Sequence, residues 1–250
     1  MLTNLPRPTI FAHRGASAYA PENTLAAFEL AIQQGADALE MDLKLTADGE
    51  VVVIHDQTLD RTTGKRGKVG QTPLAELRKL DAGSHFDVAF KGEPVPTLRE
   101  VFEKIGKRIP YNLELTNYAS PTDNLPEKTA EIVEQYKLTE HVLFSSFNPL
   151  ALIRVRRRLP HAPIALLASE GASGWLARSW VGTLLAYQAL HPAYPDVTPE
   201  LVAAAHRRNC RVHVYTVNDR DEMLRLLGMG VDGIFTDDPP LARQVFQGTR

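Results

Sequence analysis

Residues 38–56, ALEMDLKLTADGEVVVIHD, set two carboxylates and an imidazole among apolar neighbours. Glu40 and Asp42 stand two positions apart, so on a β-strand they share one face. A turn signal, ADG, follows, and VVVI then delivers His55. Elsewhere YNLELT carries Glu114 to a strand end, and TIFAHRG ends on His13 and Arg14. Three carboxylates gathered in one place repel one another unless something neutralises them. A hard divalent cation does so directly, because carboxylate oxygens suit Mg²⁺ or Ca²⁺ whereas zinc sites favour His and Cys. For any one acid taken alone, a salt bridge is the competing reading.

A pair of imidazoles beside that cluster can divide proton transfer, one accepting from the nucleophile and one donating to the leaving group. A lone histidine at a strand end is usually structural; two of them beside three acids reverse that reading. His191, next to Pro192, is a further residue that could line the same mouth. The Arg14 fork matches two phosphate oxygens, with a salt bridge to a nearby acid as its alternative. No G-x-S-x-G elbow is present, and Cys210 has no obvious base, so a protein nucleophile is not expected. The set suits cleavage of a phosphate ester by water or by the substrate's own hydroxyl.

Positioning these groups requires strands that end at a common mouth. Strand-like runs fall at 9–13, 37–45, 109–115, 141–146, 163–167, 183–187 (TLLAY), 210–217 and 231–236, with helical patterns between them. In NTLAAFELAIQQG, Asn23 or Thr24 caps a helix that Gly35 ends, and in TPELVAAAHRRN the cap is Thr198 with Pro199 just inside. Eight units over the chain give about 31 residues each, which fits a (β/α)₈ TIM barrel. A doubly wound open sheet is the alternative, since periodicity does not show closure. TADG at 46–49 predicts a hairpin doubling back before His55, and residues 57–97 are too long for an ordinary βα loop. They predict a lid or small insertion ahead of a helix starting at Leu98, within one barrel domain spanning 1–250.

Composition excludes several classes. Hydrophobic content of 44% and charged content of 23% are ordinary for a globular chain, and a net charge of −2 offers no footprint for nucleic acid. The basic run RVRRR (154–158) reads as the polar C-terminal side of a helix. One cysteine excludes an internal disulfide, and no apolar run reaches membrane-spanning length. Together with the absence of a signal-peptide pattern, this leads us to expect a cytoplasmic protein.

The blocks AHRGASAYAPENTLAAF, GADALEMDLKLTADGEVVVIHDQTLDRTT, LDAGSHF, KGEPVPTLREVF, YNLELT, SSFNPLAL, VYTVN and GVDGIFTDDP together resemble the glycerophosphodiester phosphodiesterase family, from Phe11 to about Pro239. The resemblance implies a barrel akin to phosphatidylinositol-specific phospholipase C. It also implies metal-dependent hydrolysis of glycerophosphodiesters to sn-glycerol 3-phosphate and an alcohol, by a cyclic phosphate or by direct attack of water. It makes His13 and His55 the catalytic pair, Arg14 a phosphate contact, and Glu40, Asp42 and Glu114 the ligands of one divalent cation. The insertion falls where the family carries one. Many relatives read E-x-K at the third strand; here that position is Thr116, and Lys44 is the candidate to replace the missing lysine at the phosphate, against a solvated hairpin lysine. The expected partner is a small-molecule glycerophosphodiester, with no nucleic acid and no integral membrane segment, and a homodimer stays open. Two alternatives remain. A lysophospholipase D-like activity would need an apolar track at the mouth, for which Phe86, Phe147, Trp175 and Trp180 are candidates. The other is a non-catalytic phosphate-ligand-binding barrel.

Overall fold

The computed structural model describes residues 1–248. Its strands are β1 (Thr9–Ala12), β2 (Ala38–Leu45), β3 (Val51–Val53), β4 (Tyr111–Leu115), β5 (Val142–Ser146), β6 (Ile164–Ala168), β7 (Ala189–Pro192), β8 (Arg211–Val214) and β9 (Gly233–Thr236). The helices are α1 (Leu25–Gln33), α2 (Asp60–Thr63), α3 (Leu74–Leu77), α4 (Leu98–Ile105), α5 (Leu125–Gln135), α6 (Pro149–Arg158), α7 (Trp175–Arg178), α8 (Pro199–His206), α9 (Arg220–Gly228) and α10 (Pro239–Gly248). β1 pairs in parallel with both β2 and β9, so the sheet closes on itself into an eight-stranded barrel and the open-sheet alternative falls. β3 alone is antiparallel, folding back on β2 from Leu45↔Val51 to Leu43↔Val53. The turn between them is the expected one, with Gly49 at φ +80°, a conformation that glycine adopts at little cost.

Alternation along each strand sorts the core into two layers. Ile10, Leu39, Met41, Leu113 and Ile234 face outward under the helices. Phe11, Ala38, Leu143, Ala165, Ala189 and Phe235 form an inner cluster that Met1, Leu2 and Leu5 join. Glu40 and Asp42 are therefore on the inner face, which is why they are buried despite their charge. The β2–β4 register puts Asp42 opposite Glu114 and Glu40 opposite Asn112. That pairing brings together acids more than seventy positions apart in sequence.

Local signals explain the helices that hold this frame. Thr24 accepts a hydrogen bond from the Ala27 amide at the start of α1, and Thr198 does the same for Leu201 at α8. α4 begins on Thr97 with a reciprocal Thr97–Glu100 capping box and buries Leu98, Val101, Phe102 and Ile105. The basic run of α6 is structural as expected. Arg154 makes two bonds to Glu127 and Arg158 one to Glu134. Residues 57–97 hold α2, α3 and short turns around Leu59, Val69, Leu77, Ala82 and Val95, packed on Val52 and Ile54 of the hairpin.

One strand expectation fails. TLLAY at 183–187 is a 3₁₀ turn, and the barrel strand is β7, a few residues later. Ala186 has φ +51°, which a strand residue does not adopt, and Leu184 is 75% exposed rather than buried in a sheet. The real strand, ALHP, is short and contains histidine and proline, so its propensity signal is weaker than that of its neighbour. The run at 210–217 also shortens, to Arg211–Val214, with Tyr215 joined to Ala193 only by an isolated bridge.

Candidate active site

The C-terminal ends of the strands enclose a cavity of about 260 Å³. His13, Arg14, Glu40, Asp42, His55 and Glu114 all line it, together with Asn112, Phe147, Leu167, His191, Tyr215, Thr216 and Phe235. Lys44 and Thr116 are not among its lining residues.

The loop after β1 places the first of these groups. Arg14 and Gly15 both take positive φ, at 56° and 86°, which turns the chain sharply at the strand's end. A Cβ on Gly15 would lie 2.7 Å from the Ala27 backbone, so loop and α1 approach as closely as only glycine permits. The Arg14 amide donates to Glu40 Oε2 at 2.8 Å. The Arg14 side chain pairs with Glu22 at 3.0 Å, and its Nε stands 3.3 Å from Asp42 Oδ2. Burial opposes its charge, but Asp42, Glu22 and Glu40 hold its pKa above the ordinary arginine value. Arg14 is therefore salt-bridged, the alternative reading of its fork, and it also lines the cavity.

Each imidazole is fixed through Nδ1 by a carboxylate. His13 Nδ1 lies 2.7 Å from Asp237 Oδ1, and His55 Nδ1 lies 2.7 Å from Asp56 Oδ1. Burial pushes the Asp237 carboxyl up, but hydrogen bonds from His13, Ser17 and Asn218 win and hold it at about 2. Asp56 is also held at about 2, first by Arg61, whose Nε donates to it at 2.6 Å. Arg61 reaches on to both oxygens of Glu22, at 2.6 and 2.8 Å. An ionised carboxylate only accepts, so each Nδ1 carries a proton and donates it, leaving Nε2 as the exchanging nitrogen.

One oxygen from each of Glu40, Asp42 and Glu114 can be chosen so that all three lie within 4.8 Å of one another. Asn23 Nδ2 fixes Asp42 at 2.9 Å, and the Tyr118 hydroxyl donates to Glu114 at 2.6 Å. Burial, then the Asp42 and Glu114 charges, raise the Glu40 carboxyl well above its usual range. Burial and then Asp42 push Glu114 up to about 8. Crowding of this kind, with an all-oxygen donor set, fits a hard divalent cation.

Lys44 Nζ donates to Thr116 Oγ1 at 2.8 Å and to the Thr116 carbonyl at 3.1 Å. Burial lowers its pKa, while Asp42 and Glu114 act to raise it. Cys210 is buried away from the site, and burial pushes its thiol up to about 12, so it offers no thiolate.

Residues 13–241 match the model of the glycerophosphoryl diester phosphodiesterase family. The chain belongs to this family. A "Glycerophosphodiester phosphodiesterase" of Caldanaerobacter subterraneus subsp. tengcongensis is 42% identical over 92% of this chain and 94% of its own. One of Bacillus subtilis is 35% identical over 95% and 86%. Among solved structures, an Oleispira antarctica phosphodiesterase in complex with the product sn-glycerol-3-phosphate superposes with a TM-score of 0.87 at 34% identity, covering 96% of this chain and 97% of that one. A glycerophosphodiester phosphodiesterase of Agrobacterium tumefaciens gives 0.81 at 32%, covering 94% and 99%. No helix among the described residues is long and apolar enough to cross a membrane.

Sequence reasoning named the acids, imidazoles and arginine facing the cavity and Phe147 beside them, but not Asn112, Leu167, Tyr215, Thr216 or Phe235, and it missed the groups behind: Asp237, Asp56, Glu22, Arg61, Asn23 and Tyr118. Asp56 was signalled by its place directly after His55, and Asp237 by the paired acids of TDDP. Asn112, whose Oδ1 is buried without a partner, sits opposite Glu40 and carried no signal beyond its strand position.

Proposed function

We propose that the chain hydrolyses glycerophosphodiesters to sn-glycerol 3-phosphate and an alcohol, as one catalytic unit over 1–250 with the insertion at about 57–97. The observation that carries this is the paired arrangement of His13 and His55. Each is tied through Nδ1 to an ionised aspartate, and each faces a cavity walled by three acids. One Nε2 takes the proton of the attacking hydroxyl, whether water's or the substrate's glycerol hydroxyl, and the other returns a proton to the leaving alcohol oxygen. Asp237 and Asp56 keep both rings in the required tautomer and stabilise whichever becomes imidazolium.

Glu40, Asp42 and Glu114 are the residues that would hold a divalent cation, Mg²⁺ or Ca²⁺. When bound, such an ion offsets negative charge on the phosphoryl oxygens. Arg14 binds a phosphoryl oxygen from beside these acids, its fork oriented by Glu22. Lys44 stands beside Thr116, the position two beyond Glu114. It supplies positive charge from behind the acids and is not among the residues lining the cavity.

The test is release of sn-glycerol 3-phosphate from glycerophosphocholine and glycerophosphoethanolamine, before and after EDTA, then with Mg²⁺ or Ca²⁺ restored. Turnover that vanishes with chelation and returns with the ion is expected. Phosphate binding without any product would favour a non-catalytic barrel instead.

A further inference from the structure

A groove of about 730 Å³ adjoins the catalytic cavity and shares Phe147 and Leu167 with it. Leu184 and Leu185 line it, whereas Trp175 and Trp180 do not. Arg156 in its wall has acceptors within the chain, the carbonyls of Leu185 and Ala186 at 2.6 and 2.7 Å. The other end of the barrel, where the strands begin, treats an arginine differently.

Arg211 opens β8, and alternation puts it on the same face as His213, which packs against Phe11 inside the barrel. Val212 and Val214 face the other way, into the outer core. Leu2 and Leu5 close the interior at this end. Arg211 is consequently only 7% exposed, and its Nη1 is buried with no hydrogen-bond partner among the described residues. Arg14, also largely buried, has Glu22 and Asp42. For Arg211 the neighbouring carboxylate is Asp232, and both its oxygens are committed. Oδ1 pairs with Arg7 at 3.1 Å, while Oδ2 accepts from His206 Nε2 and from the Val212 amide, both at 2.8 Å. Burial and then the Arg7 charge lower the Arg211 pKa, against Asp232, which acts to raise it. A charge taken out of water without a counter-charge is costly, so buried cations are ordinarily paired.

Arg211 lines a cavity of about 530 Å³, together with Arg7, Leu2, Thr3, Leu5, Gln188 and Asn209. Gln188 belongs to the wall, since its amide is bonded to Ile164 and Ala186. Two guanidinium groups against one carboxylate leave excess positive charge around this space. Their forks suit the oxygens of a phosphoryl or a carboxylate group. A bare oxyanion fills only a fraction of the cavity, and Leu2 and Leu5 offer apolar surface to whatever the oxyanion carries. We propose that this cavity, at the end of the barrel opposite the three acids, binds a small organic oxyanion, with its charged head on Arg211 and Arg7 and its body on Leu2 and Leu5. The site stands independently of the diesterase reading.

The test uses the full chain in EDTA carrying Arg14→Gln, which removes the phosphate contact from the catalytic cavity. Calorimetric titrations with inorganic phosphate, sn-glycerol 3-phosphate and succinate are run against chloride at matched ionic strength. One saturable site is expected, with at least one organic probe tighter than inorganic phosphate; the better of the two organic probes identifies the head group. In the same background, Arg211→Met should weaken binding at least about tenfold, the scale of a lost charged hydrogen bond, and the more exposed Arg7→Gln about threefold. In chloride alone, Arg211→Met should melt no lower than its parent, because it removes an unpaired buried charge, and it should lose the rise in Tm that the probe gives the parent. The absence of saturable binding by all three probes overturns the proposal, as does a Kd unchanged in Arg211→Met. A lower Tm for Arg211→Met in chloride, with a parent Tm indifferent to every probe, makes the arginine structural and overturns it too. Inorganic phosphate binding as tightly as both organic probes overturns the assignment of an organic ligand. If Arg211→Met fails to fold, Arg7→Gln decides, and an unchanged Kd there overturns the site. None of these readouts uses turnover, so failure of this site leaves the diesterase reading standing.

Discussion

The two sides of the barrel mouth are built by opposite means. On the hairpin side, β2, β3 and the segment after them present charged groups that are laced together. Asp56, Arg61, Glu22 and Arg14 form one continuous chain of ion pairs behind His55 and Asp42. On the side of residues 169–187, polar atoms are spent on anchoring backbone, and the side chains left facing outward are leucine and tryptophan. The contrast follows from what each rim must hold. Buried charges keep their ionisation only when each has a partner in fixed geometry, so the polar rim has to be rigid. An apolar surface needs only to be kept from collapsing, and a few arginine–carbonyl bonds are enough.

Breaking the polar rim at its centre should cost most. His13→Ala or His55→Ala is expected to lower kcat about 10²- to 10⁴-fold with KM little changed, measured by steady-state release of glycerol 3-phosphate. Removing a carboxylate from the cluster comes next. Glu40→Gln or Asp42→Asn should cost about 10³-fold in kcat and abolish the heat of Mg²⁺ or Ca²⁺ binding in calorimetry. A smaller loss, about 10²-fold, is expected for Asp237→Asn and Asp56→Asn, which keep the shape but free the ring to take the other tautomer. Because both aspartates titrate near 2, the wild-type arrangement should persist well into acid. Any fall in rate between pH 4 and 7 then belongs to other groups.

Lys44→Ala should raise KM for a glycerophosphodiester about threefold, the scale of a charge acting without a direct hydrogen bond. An unchanged KM would reduce Lys44 to a structural partner of Thr116. The smallest effect is on stability. Glu114 has a folded value near 8 against an ordinary 4.5, so the folded chain binds the proton more tightly than the unfolded one. Between these values the folded state holds more protons, and stability must fall as pH rises. In EDTA, the Tm of the wild type relative to Glu114→Gln should fall from pH 5 to 8, a comparison in which the buried neutral His191 and His213 act on both chains alike. A wild-type Tm that rises relative to Glu114→Gln across the same window would contradict the crowding of the three acids.

Much of the polar rim was legible in sequence because it obeys short-range rules. Glu40 and Asp42 share a face by strand alternation, and His55 follows a hairpin turn whose glycine is in place. What was not legible depends on closure. Asp237 meets His13 across 224 positions, and only the pairing of β9 with β1 makes them neighbours. The apolar rim misled the reading for a physical reason. TLLAY has the composition of a buried strand, yet its leucines line a surface groove, while the true strand β7 is a four-residue ALHP whose histidine lies in the cavity wall. A run that is apolar because it faces a cavity reads the same as one facing a core. Phe86 was a comparable case: it packs on Phe90 in the segment after the hairpin, and neither the catalytic cavity nor that groove includes it among its lining residues.

The most direct test of the divided proton labour varies the leaving alcohol. Wild type, His13→Ala and His55→Ala are each assayed on glycerophosphocholine and on a glycerophosphodiester of p-nitrophenol, whose leaving oxygen needs no proton. One variant should recover most of its lost turnover on the activated substrate and the other should stay slow, which would assign acid and base in one experiment. Equal impairment of both variants on both substrates, or no impairment of either, would contradict the account.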